Sequence, residues 1–156
     1  MKAKYAKIAS LRNPLQKMSK SSPDPDSKIF LTDEPDQIKS RLKSAVTDTD
    51  RSIEYAPESR PGISNLITMW AGLANVTPQK VVSDFQSQEG KQAGHAIFKK
   101  RLAQIIVDHC EPIRERYTLL MNQPQRLDDL SMHMTDIARK RAEDTMQVVR
   151  DAVGLR

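Results

Sequence analysis

Two regimes of hydrophobic patterning divide the chain. Through residue 34 the apolar positions fall in short runs, Ile8 to Leu11 and Ile29-Phe30-Leu31, separated by lysines, serines and prolines. That pattern predicts loop with at most short strands. From Thr32-Asp33-Glu34-Pro35 onward the signals become helical. Asp33 is the expected N-cap and Pro35 an early helical position, and Ile38, Leu42, Ala45 and Val46 then recur at helical spacing. Residues 48–60 are polar, contain Pro57 and read as a connection.

A second helix is expected from Pro61-Gly62 to about Asn75, with Ile63, Leu66, Ile67, Trp70, Leu73 and Ala74 on its apolar face. Thr77-Pro78 is an N-cap followed by proline at the first helical position, and it opens a short helix carrying Val81, Val82 and Phe85. Gly90 and Gly94 bracket the next break. A long helix follows from about His95 to Met121, with Phe98, Leu102, Ile105, Ile106, His109, Ile113, Tyr117 and Leu120 as one stripe. Pro112 lies inside it, lacks an N–H and crowds the Asp108 carbonyl, so a kink is expected there. The last helix is expected from about Leu127 to Val153, with Met134, Ala138, Ala142, Thr145, Val149 and Ala152 facing inward and Gly154 as C-terminal cap. The predicted fold is mainly α: a bundle of about five helices preceded by an extended loop segment. No internal repeat is visible.

Composition bounds the partners. The 156 residues are enough to bury a core, and 38% hydrophobic with 29% charged residues falls in the range of soluble proteins. No run of about 18 apolar residues exists, so no transmembrane helix and no membrane partner are expected. The net charge of +5 favours a polyanion such as RNA. Cys110 is the only cysteine, which excludes an intrachain disulfide and fits a reducing compartment. The first twenty residues are basic and contain no acid, as in a mitochondrial transit peptide, but Pro14 interrupts any amphipathic helix there.

The strongest chemical signal is Lys17-Met18-Ser19-Lys20-Ser21. Pro14 precedes it and Pro23 and Pro25 follow, which argues against a continuous helix through it. Two ammonium groups on a mobile loop can converge on one anion. Lysine is a compact point charge on a flexible stem, suited to a phosphate whose charge changes during a reaction.

The surrounding blocks give this motif a context. Lys-Ile-Ala-Ser-Leu-Arg-Asn-Pro (7–14) leads into it, and Pro-Asp-Pro-Asp-Ser-Lys-Ile (23–29), Leu-Thr-Asp (31–33), Ala-Val-Thr-Asp (45–48) and Arg-Pro-Gly-Ile-Ser-Asn-Leu (60–66) follow. Glu-Pro-Ile-Arg-Glu-Arg (111–116) and Ala-Val-Gly-Leu (152–155) close the series. From about residue 6 to the end this order resembles the C-terminal part of a tryptophanyl-tRNA synthetase, a class I enzyme. The resemblance implies that residues 1–34 are the end of the catalytic domain with its mobile loop, and residues 35–156 a helical domain that meets the tRNA anticodon stem-loop. It implies ATP, with Mg2+, as co-substrate and tRNA(Trp) and tryptophan as partners in the full-length enzyme. Family members are homodimers whose dimer contacts lie largely outside this part. The resemblance assigns Lys17 and Lys20 to stabilising charge on the leaving pyrophosphate. Met18 lies within that nucleotide-binding run, and Ser19 and Ser21 are potential donors to phosphate oxygens. Ser22 stands where many family members carry Asp.

A class I synthetase also needs a nucleotide-binding Rossmann domain with a His-Ile-Gly-His type signature. None is present; His95, His109 and His133 are scattered, and no strand leads into a glycine loop. The expectation is therefore an enzyme by family whose C-terminal portion is inactive alone. The rivals are a non-catalytic helical RNA-binding or partner-binding module derived from the family, and a helical scaffold without an RNA role. The intact second lysine favours the bacterial and organellar branch. The Ser-Ser-Pro-Asp-Pro-Asp wording resembles a mitochondrial enzyme, so a matrix location is expected, with the bacterial cytoplasm as alternative.

Other residues have plainer readings. His109-Cys110 lacks partners at metal-ligand or triad spacing, so His109 is expected as a packed histidine and no metal site is expected. His95 and His133 are expected at the surface or its boundary, and Trp70 in the core. Lys99-Lys100-Arg101 and Arg139-Lys140-Arg141 are basic clusters on helices. By themselves they are solvated faces; the resemblance makes them candidate phosphate contacts.

Overall fold

The computed structural model describes residues 7–154. Residues 1–6 of the expected loop segment and Leu155 of the closing block lie outside them. The described residues form five α-helices: α1 Pro35–Ser44, α2 Pro61–Ala74, α3 Pro78–Glu89, α4 His95–Met121 and α5 Pro124–Val153. A 3-10 turn at Pro25–Ser27 precedes them. The fold is mainly α, as the periodicity predicts. Four of the five helices open on a proline, whose fixed φ suits the first helical position and whose missing N–H is not needed there. Asn75 (φ 53°) ends α2 in the left-handed region, and Gly154 (φ 76°) ends α5 as expected. Neither apolar run of the first segment is a strand. Ala9 and Lys17 form an isolated antiparallel bridge, and no strand occurs among the described residues.

The chain divides into two compact units, Met1–Arg114 and Glu115–Arg156. In the first, Leu11, Ile38, Leu42, Ile63, Leu66, Ile67, Phe98 and Leu102 are essentially inaccessible to solvent. Trp70 packs on this core as expected, at 5.1 Å from Phe98 and 6.2 Å from Phe85 between ring centroids. The buried stripe of α4 is Phe98, Leu102, Ala103, Ile106, Val107 and Cys110. It is turned by about one residue from the expected one. Cys110 takes the core position, and His109, expected to be packed, is exposed. Ala and Cys are small enough to let the helices approach, and they won the face from Ile105 and His109. Val46 and Ala74 likewise point to solvent. The chain leaves helical geometry at Ala45, so Val46 no longer shares the face of α1.

In the second unit α5 has no buried residue, so the stripe from Met134 to Ala152 is exposed rather than inward. It begins three residues before Leu127, at Pro124. A helical period makes one face apolar but does not by itself bury that face.

The connection between α1 and α2 is organised by Arg60, the N-cap residue of α2. Its Nη2 donates to Asp48 Oδ1 at 2.7 Å, to the Asp50 carbonyl at 2.7 Å and to the Ser52 carbonyl at 2.9 Å, while Nη1 donates to Ser52 Oγ at 2.9 Å. His95 Nε2 lies 3.5 Å from Arg60 Nη2. Gly62 is required beside it, because a Cβ there would sit 2.6 Å from the Val46 carbonyl oxygen.

This network gives the fold an acid limit. Burial pushes the His95 imidazole below its usual 6.5, and the Asp48 charge offsets only part of that. The folded protein therefore prefers the neutral ring. Its stabilisation is complete above pH 6.5 and is lost as pH falls from there through the lower folded value. The hydrogen bond from Arg60 holds Asp48 below its usual 3.8, so its contribution is lost only under more acidic conditions, below 3.8. We expect the thermal midpoint to decline as pH falls from about 6.5 to 5, and His95→Gln to abolish that decline. A parent protein with a flat midpoint across this range would show that His95 is not coupled to folding.

Candidate functional site

The lysine-serine motif is presented by a short hairpin pinned to the helical core. Met18 N–H donates to the Ile8 carbonyl at 3.0 Å and Ser10 N–H to the Gln16 carbonyl at 2.8 Å. The turn between them carries Pro14. Ser10 Oγ accepts from the N–H groups of Arg12 and Asn13, each at 3.2 Å. Asn65 of α2 completes the hairpin's outer edge: its Oδ1 accepts from Ala9 N–H at 2.8 Å and its Nδ2 donates to the Ala9 carbonyl at 3.0 Å. A side-chain amide here does what a neighbouring strand would do for the backbone. Leu11 then anchors the segment in the core, and its carbonyl accepts from Val46 N–H at 2.7 Å.

Within the motif, Met18 is half-buried and packs against the core. Lys17, Ser19, Lys20 and Ser21 are exposed. The Ser19 and Ser21 hydroxyls lie 3.0 Å apart. Neither lysine has a carboxylate partner among the described residues. Two free cations and two hydroxyls on one short stretch form a surface that can receive phosphate oxygens.

The exit from the motif is tied down by residues that sequence reasoning missed. Ser27 Oγ donates to the Asp24 carbonyl at 2.6 Å and lies 2.9 Å from Ser22 Oγ, and the buried Lys28 ammonium donates to the Ser22 carbonyl. Ser22, in place of a carboxylate, is thus held at two points by residues that follow the turn. Lys28 Nζ also sits 5.6 Å from the centre of the Phe30 ring. Arg41 of α1, buried, binds Asp33 and donates to the Lys28 carbonyl at 3.3 Å, with Asp26 Oδ1 at 3.9 Å from its Nε. Arg12 pairs with Asp24 at 3.5 Å and donates to the Ser44 carbonyl at 3.2 Å. Asp33 is therefore not the N-cap of α1. Glu34 takes that position, with Gln37 Oε1 accepting from its N–H at 2.9 Å, while Asp33 accepts from Phe30 N–H at 2.7 Å and binds Arg41. An arginine in the last turn of the helix competed for the aspartate and won.

The two basic clusters do not act as blocks. Consecutive helical residues point about 100° apart, so three in a row cannot share a face. Lys99 is half-buried, and its ammonium donates to the Ala45 carbonyl at 2.7 Å; burial lowers its pKa from the usual 10.5. Lys100 is exposed. Arg101 turns to α3 and pairs with Glu89, with Gln88 Oε1 at 3.4 Å. On α5, Arg139 has Asp136 at 3.6 Å, and Lys140 and Arg141 are exposed.

The sequence blocks singled out above meet one another in space: residues 45–48 contact Leu11, Lys99 and Arg60, and residues 60–66 supply Arg60, Gly62 and Asn65. The family profile described as tRNA synthetases class I (W and Y) matches residues 2–111. The chain belongs to this family. It is 37% identical over 150 residues to a tryptophan–tRNA ligase of Bacillus anthracis, covering 96% of this chain and 44% of that protein. A mitochondrial tryptophan–tRNA ligase of Dictyostelium discoideum is 38% identical over 149 residues, covering 96% of this chain and 38% of the relative. The chain thus spans less than half the length of these relatives. The crystal structure of a tryptophanyl-tRNA synthetase from Mycoplasma pneumoniae shares the fold, with TM-score 0.59 and 23% identity over 71% of this chain and 34% of that one. Bacterial and mitochondrial relatives match equally well, so the comparison gives no preference to the matrix location expected from the sequence wording. No helix among the described residues is long and apolar enough to cross a membrane.

Proposed function

We propose that these residues are the C-terminal portion of a tryptophan–tRNA ligase, with Lys17 and Lys20 on its catalytic loop. In the full-length enzyme tryptophan's carboxylate attacks the α-phosphate of ATP and pyrophosphate leaves. Charge builds on the leaving group, and ammonium groups that meet it then lower the barrier, because they hold the transition state more tightly than the ground state. The observation that carries this reading is the pair of exposed lysines without carboxylate partners, beside the Ser19 and Ser21 hydroxyls, on a segment fastened at both ends. Met18 supports it from below by filling the gap between loop and core. Among the described residues no group of three His, Cys, Asp or Glu side chains is arranged to hold a metal.

The division of labour we propose follows the sequence: residues 1–34 close the catalytic domain, and residues 35–156 meet tRNA(Trp), with Lys99, Lys100, Arg101, Arg139, Lys140 and Arg141 as phosphate-contact candidates. The full-length enzyme would act as a homodimer, in a bacterial cytoplasm or a mitochondrial matrix.

The test joins these residues to the nucleotide-binding half of the Bacillus anthracis relative and measures tryptophan-dependent ATP–pyrophosphate exchange. A fusion that folds and binds tryptophan but gives no exchange would overturn the catalytic reading. The 156 residues alone are expected to give none, since a loop lysine without bound substrate has no charge to stabilise. They are expected to bind a tRNA(Trp) transcript weakly and with steep salt dependence. Changing Arg139, Lys140 and Arg141 together to Ala should weaken that binding; equal affinity across a salt series would return them to a solvated face.

A further inference from the structure

The geometry points to an RNA-backbone site in the groove between α1 and α4, built by Lys39, Lys43, Lys99 and Lys100. The groove has a volume of about 540 Å3, and Ala96, Ala103 and Gln104 complete its lining. Lys39 and Lys43 are four residues apart on α1 and so stand one above the other on one face. Lys99 and Lys100 rise from the facing stretch of α4. Two walls of ammonium groups thus enclose a floor of alanine side chains and lysine stems.

The roles within the groove differ. Lys99 is committed to the Ala45 carbonyl at the C-terminal end of α1, so it ties the two walls together. Lys100 and Lys43 are exposed and have no ion-pair partner among the described residues. Lys39 has only Asp36, at 3.9 Å and itself fully exposed, a contact worth little in water. No carboxylate lines the groove among the described residues, and Asp108 on α4 holds the Gln104 amide at 2.7 Å. Three ammonium groups are therefore available to one ligand with repeating negative charge. The small apolar floor leaves room for the sugar edge of a polynucleotide lying between the walls. Lysine, a point charge without a fork, follows a backbone without demanding one orientation from it.

This inference rests on the RNA-binding reading above and sharpens it. The adjacent lysines of the sequence cluster divide between tie and contact. Arg101 is withdrawn to α3, and two α1 lysines that the cluster never included take its place.

The experiment measures binding of a fluorescent tRNA(Trp) transcript to the 156-residue chain across a salt series. The groove variant carries Lys39→Gln, Lys43→Gln and Lys100→Gln, leaving Lys99 in place. A charge-matched control carries Lys80→Gln, Lys91→Gln and Arg116→Gln. The groove variant should bind at least about tenfold more weakly at low salt, and its slope of log affinity against log salt should flatten by about 2 to 3, one unit per lost phosphate contact. The control should keep most of the parental slope. RNA should also protect Lys39, Lys43 and Lys100 from acetylation more than Lys80 and Lys91, a readout that needs no variant to fold. A groove variant that matches the control in affinity and slope, with no selective protection, overturns the groove and leaves the RNA reading standing. A parent chain that does not bind the transcript overturns both. Displacement of the transcript by a glutamate-rich peptide at equal charge concentration would assign the groove to an acidic protein instead.

Discussion

Replacing Arg60 by methionine is expected to destabilise the first unit by about 3 kcal/mol, the lower end of the cost of removing one partner from a buried ion pair, because Arg60 is buried while Asp48 stays partly exposed. The thermal midpoint should fall by roughly 10–20 °C. Among the described residues the guanidinium is the only group that gathers Asp48, the carbonyls of Asp50 and Ser52, and the Ser52 hydroxyl. Without it the Asp48 carboxylate remains in a site where Oδ2 is buried and has no partner among the described residues. Those carbonyls would also lose their donors, and a buried acceptor without a donor costs about 1–3 kcal/mol. Arg60→Lys should recover only part of the loss, because one ammonium cannot span the positions of a fork. Asp48→Asn should cost less, since the amide oxygen can still accept from Nη2. The check is thermal and urea unfolding of the three variants at pH 7.5. An Arg60→Met protein within about 1 kcal/mol of the parent would mean that the connection is held by packing alone.

The helices were legible in the sequence because their punctuation is local. Pro35, Pro61, Pro78 and Pro124 open them, and Asn75 and Gly154 close two of them through backbone conformations that these residue types tolerate. Which side of α4 faces inward was less legible. Ile105 and His109 fit a helical period as well as Ala103 and Cys110 do, and only the closeness of the neighbouring helices decides between them. The inward face expected for α5 failed for a different reason: periodicity shows that a helix is amphipathic but not that anything covers it.

The motif itself was fully legible, since Lys17 to Ser21 are contiguous. Its supports were not. Asn65 binds Ala9 across 56 residues, and Arg41 reaches Lys28 and Asp33 from inside a helix. In a sequence an asparagine on a helix and an arginine near its end read as solvent-facing, and no local signal marks them as anchors. The grouping of cations was misleading in the same way. Lys99, Lys100 and Arg101 are adjacent in sequence, yet they diverge by the helix rotation, while Lys39 and Lys43 come to lie opposite Lys100 through tertiary packing.

Lys20→Ala is expected to slow adenylate formation about a hundredfold in a protein where these residues are joined to a nucleotide-binding domain, while leaving tryptophan affinity nearly unchanged. The ammonium is exposed and has no carboxylate partner among the described residues, so it carries no structural duty that its loss would disturb. The fold should stay within about 0.5 kcal/mol of the parent, as for other surface changes. On the proposed reading, what is lost is a cation that meets the pyrophosphate as charge shifts onto it. Removing one such electrostatic contact commonly costs about 3 kcal/mol, which is roughly a hundredfold in rate. Lys20→Arg should restore only part of the rate, because the planar guanidinium spreads its charge over a different shape. Lys28→Met offers a contrast. It removes the tie to the Ser22 carbonyl without removing a charge from the motif, so it should loosen the loop and lower the rate by less. Single-turnover adenylate formation, measured beside equilibrium tryptophan binding, separates these effects. If Lys20→Ala turns over normally, or if its defect lies in tryptophan affinity alone, the lysine does not meet the leaving group.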